Sequence, residues 1–146
     1  MTELEPDGLF VYGTLREGGL HHGWLRRTNP QGATRAFAPG RLFHLPEAGY
    51  PAFVQGRIPE ALPPGPGWVV GEFIGYEDLE DLARAVENLD ELEGVGDELF
   101  KRRLVPVLLD SGHTYAAWTY LFPEDRLLRL EREAVELLDG DWAAYL

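Results

Sequence analysis

The order of apolar and polar positions divides the chain into short strand-like runs and two helical stretches. Gly8-Leu9-Phe10-Val11-Tyr12 is an apolar run of strand length halted by Gly13, and it predicts a buried opening strand. Gly18, Gly19 and Gly23 predict a loop or short irregular helix carrying Leu20, Trp24 and Leu25. Strand-like segments follow from Ala33 to Leu45, with a break expected at Pro39-Gly40. Pro46, Gly49, Pro51, Gly56 and Pro59 predict a turn-rich stretch, and Pro63 to Gly67 a rigid surface loop. Trp68 to Tyr76 has strand composition, with Gly71 and Gly75 marking close backbone approach or bends.

The period then changes. Leu79, Leu82, Val86, Leu89 and Leu92 recur at spacings of three and four, which predicts a helix from about Glu77 to Glu93. Acidic residues in its first turn suit the helix dipole, and Gly94 is a stop signal. Phe100–Leu109 and His113–Phe122 read as a hairpin turned by Asp110-Ser111-Gly112, with Pro106 favouring an edge or a bulge. Leu127 to Leu138 predicts a second amphipathic helix, ended by Asp139-Gly140-Asp141-Trp142. Strands outnumber helices, so the class is α+β with a curled, mostly antiparallel sheet.

Composition narrows the chemistry. The chain of 146 residues has the size of one domain, 1–146, with residues 1–7 expected to fray. A net charge of −12 opposes nucleic acid or an anionic membrane surface as partner, because phosphates require Lys and Arg. No apolar run reaches bilayer length and no charged leader precedes an apolar stretch, so a cytoplasmic location is expected. Cysteine is absent, which excludes thiol nucleophiles and thiolate metal sites. His21, His22, His44 and His113 lack the spacing of a helical metal pair, and the adjacent His21-His22 read as exposed loop residues. Ser111, the one serine, sits in turn chemistry and not in a nucleophile elbow.

Two segments remain. Glu93 lies four residues after Leu89 and seven after Val86, on or beside the apolar stripe at the helix's last turn. There, burial and unpaired carbonyls both disfavour its charge, raising its pKa toward that of a general acid/base. Alternatively, Glu93 fans outward or pairs with Arg102 or Arg103. Glu87, Asp90 and Glu91 fall on the flanks or the solvent side. Tyr12-Gly13-Thr14-Leu15-Arg16 follows the first strand, and its backbone N–H groups form either an anion nest or an ordinary turn.

In combination, these segments resemble the gamma-glutamylcyclotransferase-like superfamily, in particular the branch of gamma-glutamylamine cyclotransferases and AIG2-like proteins. The likeness is carried in order by Tyr12-Gly13-Thr14-Leu15-Arg16, Gly40-Arg41-Leu42, Tyr50-Pro51-Ala52 and Val69-Val70-Gly71-Glu72. It continues through Leu89-Asp90-Glu91-Leu92-Glu93-Gly94, the strand from Phe100 to Val107, and Gly140-Asp141-Trp142. Phe100 departs from the usual Tyr, and Pro106 lies inside a strand. The resemblance implies a small mixed, mostly antiparallel β-barrel with flanking helices and a cavity at the Tyr-Gly-Thr-Leu loop. It implies an enzyme that cyclises a gamma-glutamyl amine or peptide to 5-oxoproline and releases the amine, with Glu93 as acid/base. Backbone groups of Gly13, Thr14 and Leu15 would hold the α-carboxylate or oxyanion, with Tyr12, Tyr50 and Tyr120 as cavity wall. Arg102 would either orient a carboxylate or pair with surface acids. No metal or cofactor is required, and the expected partner is a small gamma-glutamyl substrate, with the protein a monomer or weak homodimer. The rival expectations are a ligand-binding or regulatory protein without turnover, and an enzyme removing a gamma-glutamyl protecting group in a biosynthetic pathway.

Overall fold

The opening strand, β1 (Gly8–Val11), is buried on both faces, which places it at the centre of the architecture. The computed structural model describes residues 5–13, 15, 30–46, 50–93 and 100–142, of Tyr50 only the backbone. Around β1 stand β2 (Ala33–Leu45), β3 (Tyr50–Gln55), β4 (Trp68–Gly75), β5 (Lys101–Leu109), β6 (Thr114–Leu121) and β7 (Val135–Glu136). The sheet order is β3-β2-β4-β1-β6-β5. It closes where Ala36 and Phe37 of β2 pair with Leu109 and Leu108 of β5. The result is a five-stranded barrel, with β3 and β7 added on β2. Among the described pairings, β1 with β6 is the parallel one, and the rest are antiparallel. This is the mixed, mostly antiparallel barrel with flanking helices that the family resemblance implies, and it agrees with the α+β class read from the residues.

Period-two alternation sorts the side chains. Phe10, Ala36, Ala38, Val69, Phe73, Val105, Val107, Ala117 and Leu121 cluster together and fill the barrel. A barrel of five strands is narrow, so side chains pack it solid, with three alanines facing the aromatics. The intervening Leu9, Val11, Ile74 and Tyr120 face outward and meet α1 (Leu79–Leu92). Asp78 caps α1 by accepting from the Glu80 N–H at 2.8 Å. Leu82, Val86 and Leu89 lie on its buried face, each worth ~1.5–3 kcal/mol relative to exposure. Leu79, the first member of the predicted stripe, is exposed (61%) because it precedes the point where the helix meets the barrel.

Three expectations are corrected. The break at Pro39-Gly40 is not a break: β2 runs through it and changes partners, from β4 up to Pro39 to β3 from Gly40 onward. Gly40 has φ +153, and a Cβ there would lie 2.3 Å from the Val54 carbonyl oxygen. The turn-rich stretch contains a strand, β3, whose proline is tolerated because β3 ends the sheet order. The single helix over Leu127–Leu138 stops early. A 3₁₀ turn (Glu124–Arg126) leads into α2 (Leu127–Glu133), after which Ala134 is extended and β7 begins. Tertiary pairing overrides helical propensity there. Arg41 grips Glu136 through Nε–Oε2 (3.1 Å) and Nη2–Oε1 (2.8 Å), and the Leu137 N–H donates to the Leu42 carbonyl at 2.8 Å. Leu137 enters the barrel core, and Leu138 is left exposed (77%).

Because Gly40 combines a positive φ with backbone contact, Gly40→Ala is expected to lower unfolding free energy by about 3 kcal/mol. Gly32→Ala also has a positive φ but meets nothing within 4 Å, and it should cost less. Urea-denaturation midpoints of the two variants check the ordering.

Candidate active site at the end of the first helix

Glu93 is the residue on which α1 ends. Its N–H still donates to the Leu89 carbonyl at 2.8 Å, and as the C-cap it keeps a right-handed backbone (φ −85, ψ −1). It follows Val86 and Leu89 at the spacing that keeps one helix face toward the barrel. The side chain is half-buried, and desolvation raises its pKa from 4.5 to about 7. Among the described residues its carboxyl group has neither a hydrogen bond nor an ion pair.

One turn earlier, Asp90 is treated differently. The Tyr120 hydroxyl donates to Asp90 Oδ1 at 2.8 Å, and Arg102 Nε donates to the same oxygen at 2.8 Å. The Arg102 guanidinium also lies 4.4 Å from the centre of the Trp118 ring. Arg102 faces Tyr120 across the β5–β6 ladder, so the strand register delivers both to this helix end. Burial, then the hydrogen bond and charge of Asp90, raise the Tyr120 phenol pKa, with a smaller rise from the charge of Glu93 and a lowering by Arg102. Tyr120 therefore stays a neutral donor beside Glu93 at physiological pH.

Tyr120 also reaches inward through its backbone. The Tyr12 hydroxyl donates to the Tyr120 carbonyl, and the Tyr12 ring stands edge-on to Phe53 inside the barrel at 5.3 Å. The next residue, Gly13, presses on the strand that carries Tyr50-Pro51-Ala52. A Cβ at Gly13 would lie 2.8 Å from Pro51 Cγ and 3.9 Å from Trp142 Cε3. Trp142 Nε1 in turn donates to His44 Nδ1 at 3.1 Å, which fixes the C-terminal tail against β2. Leu15 packs in the same cluster as Val86 and Leu89 of α1.

The family described as gamma-glutamyl cyclotransferase, AIG2-like, matches residues 9–144. The chain belongs to this family. It is 32% identical over 140 residues to the gamma-L-glutamyl-butirosin B gamma-glutamyl cyclotransferase of Niallia circulans, covering 94% of this chain and 76% of that relative. Among solved structures it resembles YkqA from Bacillus subtilis, with a TM-score of 0.63 and 23% identity over 97% of this chain. This chain spans 41% of YkqA. An AIG2-like protein of Mus musculus matches with a TM-score of 0.56 and 19% identity, over 84% of each chain. At these identities the structural likeness speaks for the fold.

Within this AIG2-like chain, the residues picked out by sequence are distributed as follows. Tyr120, Arg102 and Glu93 gather at the end of α1, the first two through Asp90. Tyr12 is inside the barrel, joined to this group through the Tyr120 carbonyl. Gly13 and Leu15 follow it, whereas Thr14, Arg16, His21, His22 and the side chain of Tyr50 lie outside the described residues. The alternative of an ion pair between Glu93 and Arg102 is not what forms, since Arg102 pairs with Asp90. Asp90, placed by helical projection on the flank or solvent side, was missed, as were Trp118 and the His44–Trp142 contact. The one signal for Asp90 was its position three residues before Glu93 in Leu89-Asp90-Glu91-Leu92-Glu93-Gly94. No group of three or more His, Asp or Glu among the described residues is arranged to hold a metal ion.

The displaced titration of Glu93 has a signed consequence for stability. A carboxyl whose folded pKa (about 7) exceeds its ordinary 4.5 favours the fold when protonated, so its contribution is lost as pH rises through that window. The full loss is on the order of 3 kcal/mol. Glu93→Gln is therefore expected to stabilise the protein relative to the parent at pH 8 and to leave it nearly unchanged at pH 4. Paired denaturation curves at the two pH values check this difference.

Proposed function

We propose that this chain is a gamma-glutamyl cyclotransferase that converts a gamma-glutamyl amine or peptide to 5-oxoproline and the free amine, with Glu93 as the single acid/base. The observation that carries the reading is the half-buried Glu93 carboxyl at the end of α1, raised to about 7 with no polar partner among the described residues. Family membership and the Niallia circulans relative support cyclotransferase activity in general.

The chemistry is intramolecular. The substrate's α-amine attacks its own γ-carbonyl carbon, a C–N ring bond forms, and the bond to the departing amine breaks. Folding the substrate so that these atoms meet supplies on the order of 7–11 kcal/mol of the barrier. An α-ammonium is unreactive, so a base must first take its proton, and the departing amine must later receive one. Glu93, poised near neutral pH, does both in turn. Backbone N–H groups at Gly13 to Leu15 bind the α-carboxylate or the oxyanion of the tetrahedral intermediate. Tyr12 and Tyr120 link the end of β1 to the helix end through the Tyr120 carbonyl and Asp90. A second reading, removal of a gamma-glutamyl protecting group during biosynthesis, uses the same chemistry, and it is favoured by the likeness to the Niallia circulans cyclotransferase of gamma-L-glutamyl-butirosin B.

Glu93→Gln is expected to retain the fold and lower kcat by about 10³-fold, the middle of the range for a lost acid/base. In the parent protein, kcat/KM should rise with pH to a plateau, with a midpoint near the Glu93 value of about 7. Amine release from a panel of gamma-glutamyl amines and dipeptides tests both, and a Gln variant with most of its activity removes the assignment.

A further inference from the structure

We infer that Arg102, held by Asp90 and Trp118, forms a subsite for a carboxylate carried by the amine that leaves the glutamyl group. The inference rests on the reaction proposed above, and it specifies the substrate class that this site prefers.

Arg102 is used on one side only. Its Nε is committed to Asp90 Oδ1 at 2.8 Å, and the face of its guanidinium lies over Trp118 at 4.4 Å. Among the described residues, Nη1 and Nη2 have no partner. A guanidinium fixed at Nε and by stacking has lost its freedom to swing, so its remaining fork points in a set direction. Such a fork fits the two oxygens of a carboxylate. The head is partly shielded, with 28% of the side chain exposed, so an ion pair there is less screened than on an open surface.

Its place in the sheet separates it from the loop assigned to the glutamyl α-carboxylate. Arg102 pairs with Tyr120, and continuing the Leu9–Trp118 register brings Val11 beside Tyr120 from the other side. Val11, Tyr120 and Arg102 thus form a row across three strands, ~10 Å wide at the usual strand spacing. The Gly13 loop extends from one end of this row and meets Pro51 and Trp142. Arg102 stands at the other end and meets Asp90 and Trp118. Glu93 follows by one helical turn the Asp90 that holds both Tyr120 and Arg102. Ring closure draws the glutamyl backbone to one side of the γ-carbon and sends the amine out on the other. A carboxylate on that amine arrives at Arg102, whereas a simple alkylamine leaves the fork unused.

The test uses the turnover-blocked Glu93→Gln protein, titrated calorimetrically with gamma-glutamylglycine and with gamma-glutamylglycinamide, which differ only in that carboxylate. The acid should bind about 10- to 100-fold more tightly than the amide, as expected for a charge-assisted bidentate contact. Adding Arg102→Met should bring the ratio near one, and Arg102→Lys should keep an intermediate ratio and guard against misfolding. Asp90→Asn, which releases the guanidinium without removing it, should also shrink the ratio. Equal binding of acid and amide, a ratio that survives Arg102→Met, or binding of neither compound overturns the inference. If the ratio behaves as stated but the parent protein releases no 5-oxoproline from either compound, the cyclisation reading falls and the carboxylate subsite stands.

Discussion

The arrangement depends on Tyr120, which faces two ways across the barrel wall. Its carbonyl oxygen accepts the hydroxyl of Tyr12 from the packed interior, while its own hydroxyl donates to Asp90 on the helix outside. Two layers that otherwise meet largely through non-directional apolar contact are thereby locked in register, with Arg102 Nε donating to the same Asp90 oxygen. Apolar packing of Leu9, Val11, Leu82, Val86 and Leu89 brings α1 to the barrel, but such packing tolerates small slides. A directional hydrogen bond at a half-buried site does not, because a slide would leave a desolvated donor or acceptor unpaired. The position of Glu93, one turn beyond Asp90, inherits that precision.

The two carboxylates at this helix end show how environment divides labour within one turn. Asp90 has a countercharge and a neutral donor on a single oxygen. Glu93 has burial and, among the described residues, no polar partner, so its proton is held to about 7. Pairs of acids whose surroundings diverge in this way are the usual means by which one fold keeps a fixed charge and a mobile proton side by side. Just after β1, Gly13 is a position that the Pro51 ring leaves no room to substitute.

Much of the fold was legible because its signals are local. The opening strand, the hairpin turned at Asp110-Ser111-Gly112 and the helix capped by Asp78 each carry their own period and punctuation. β3 was hidden because Pro51 and Gly56 read as turn residues, and only the sheet order shows that β3 can carry a proline. The end of α2 was hidden for a different reason: the pull of Arg41 on Glu136 and of Leu42 on Leu137 comes from residues about 95 positions away. The site divides along the same line. The position of Glu93 beside the buried stripe follows from helical projection, but the Asp90–Tyr120–Arg102 junction requires the β5–β6 register and the seat of α1 together. No local pattern encodes that conjunction.

The same junction explains how Glu93 stays unneutralised in a neighbourhood that contains cations. Lys101, Arg102 and Arg103 open β5, the strand that Arg102 ties to the helix end, and a guanidinium at Glu93 would draw its pKa back down. Arg102 is taken up by Asp90 and by the face of Trp118, and Arg103 Nη1 donates to the Arg102 carbonyl at 2.8 Å. Alternation along β5 also sends Arg102 and its neighbours to opposite faces of the sheet. Asp90 therefore does more than anchor a tyrosine. By holding the cation one turn short of Glu93, it leaves the Glu93 carboxyl desolvated and, among the described residues, without a countercharge.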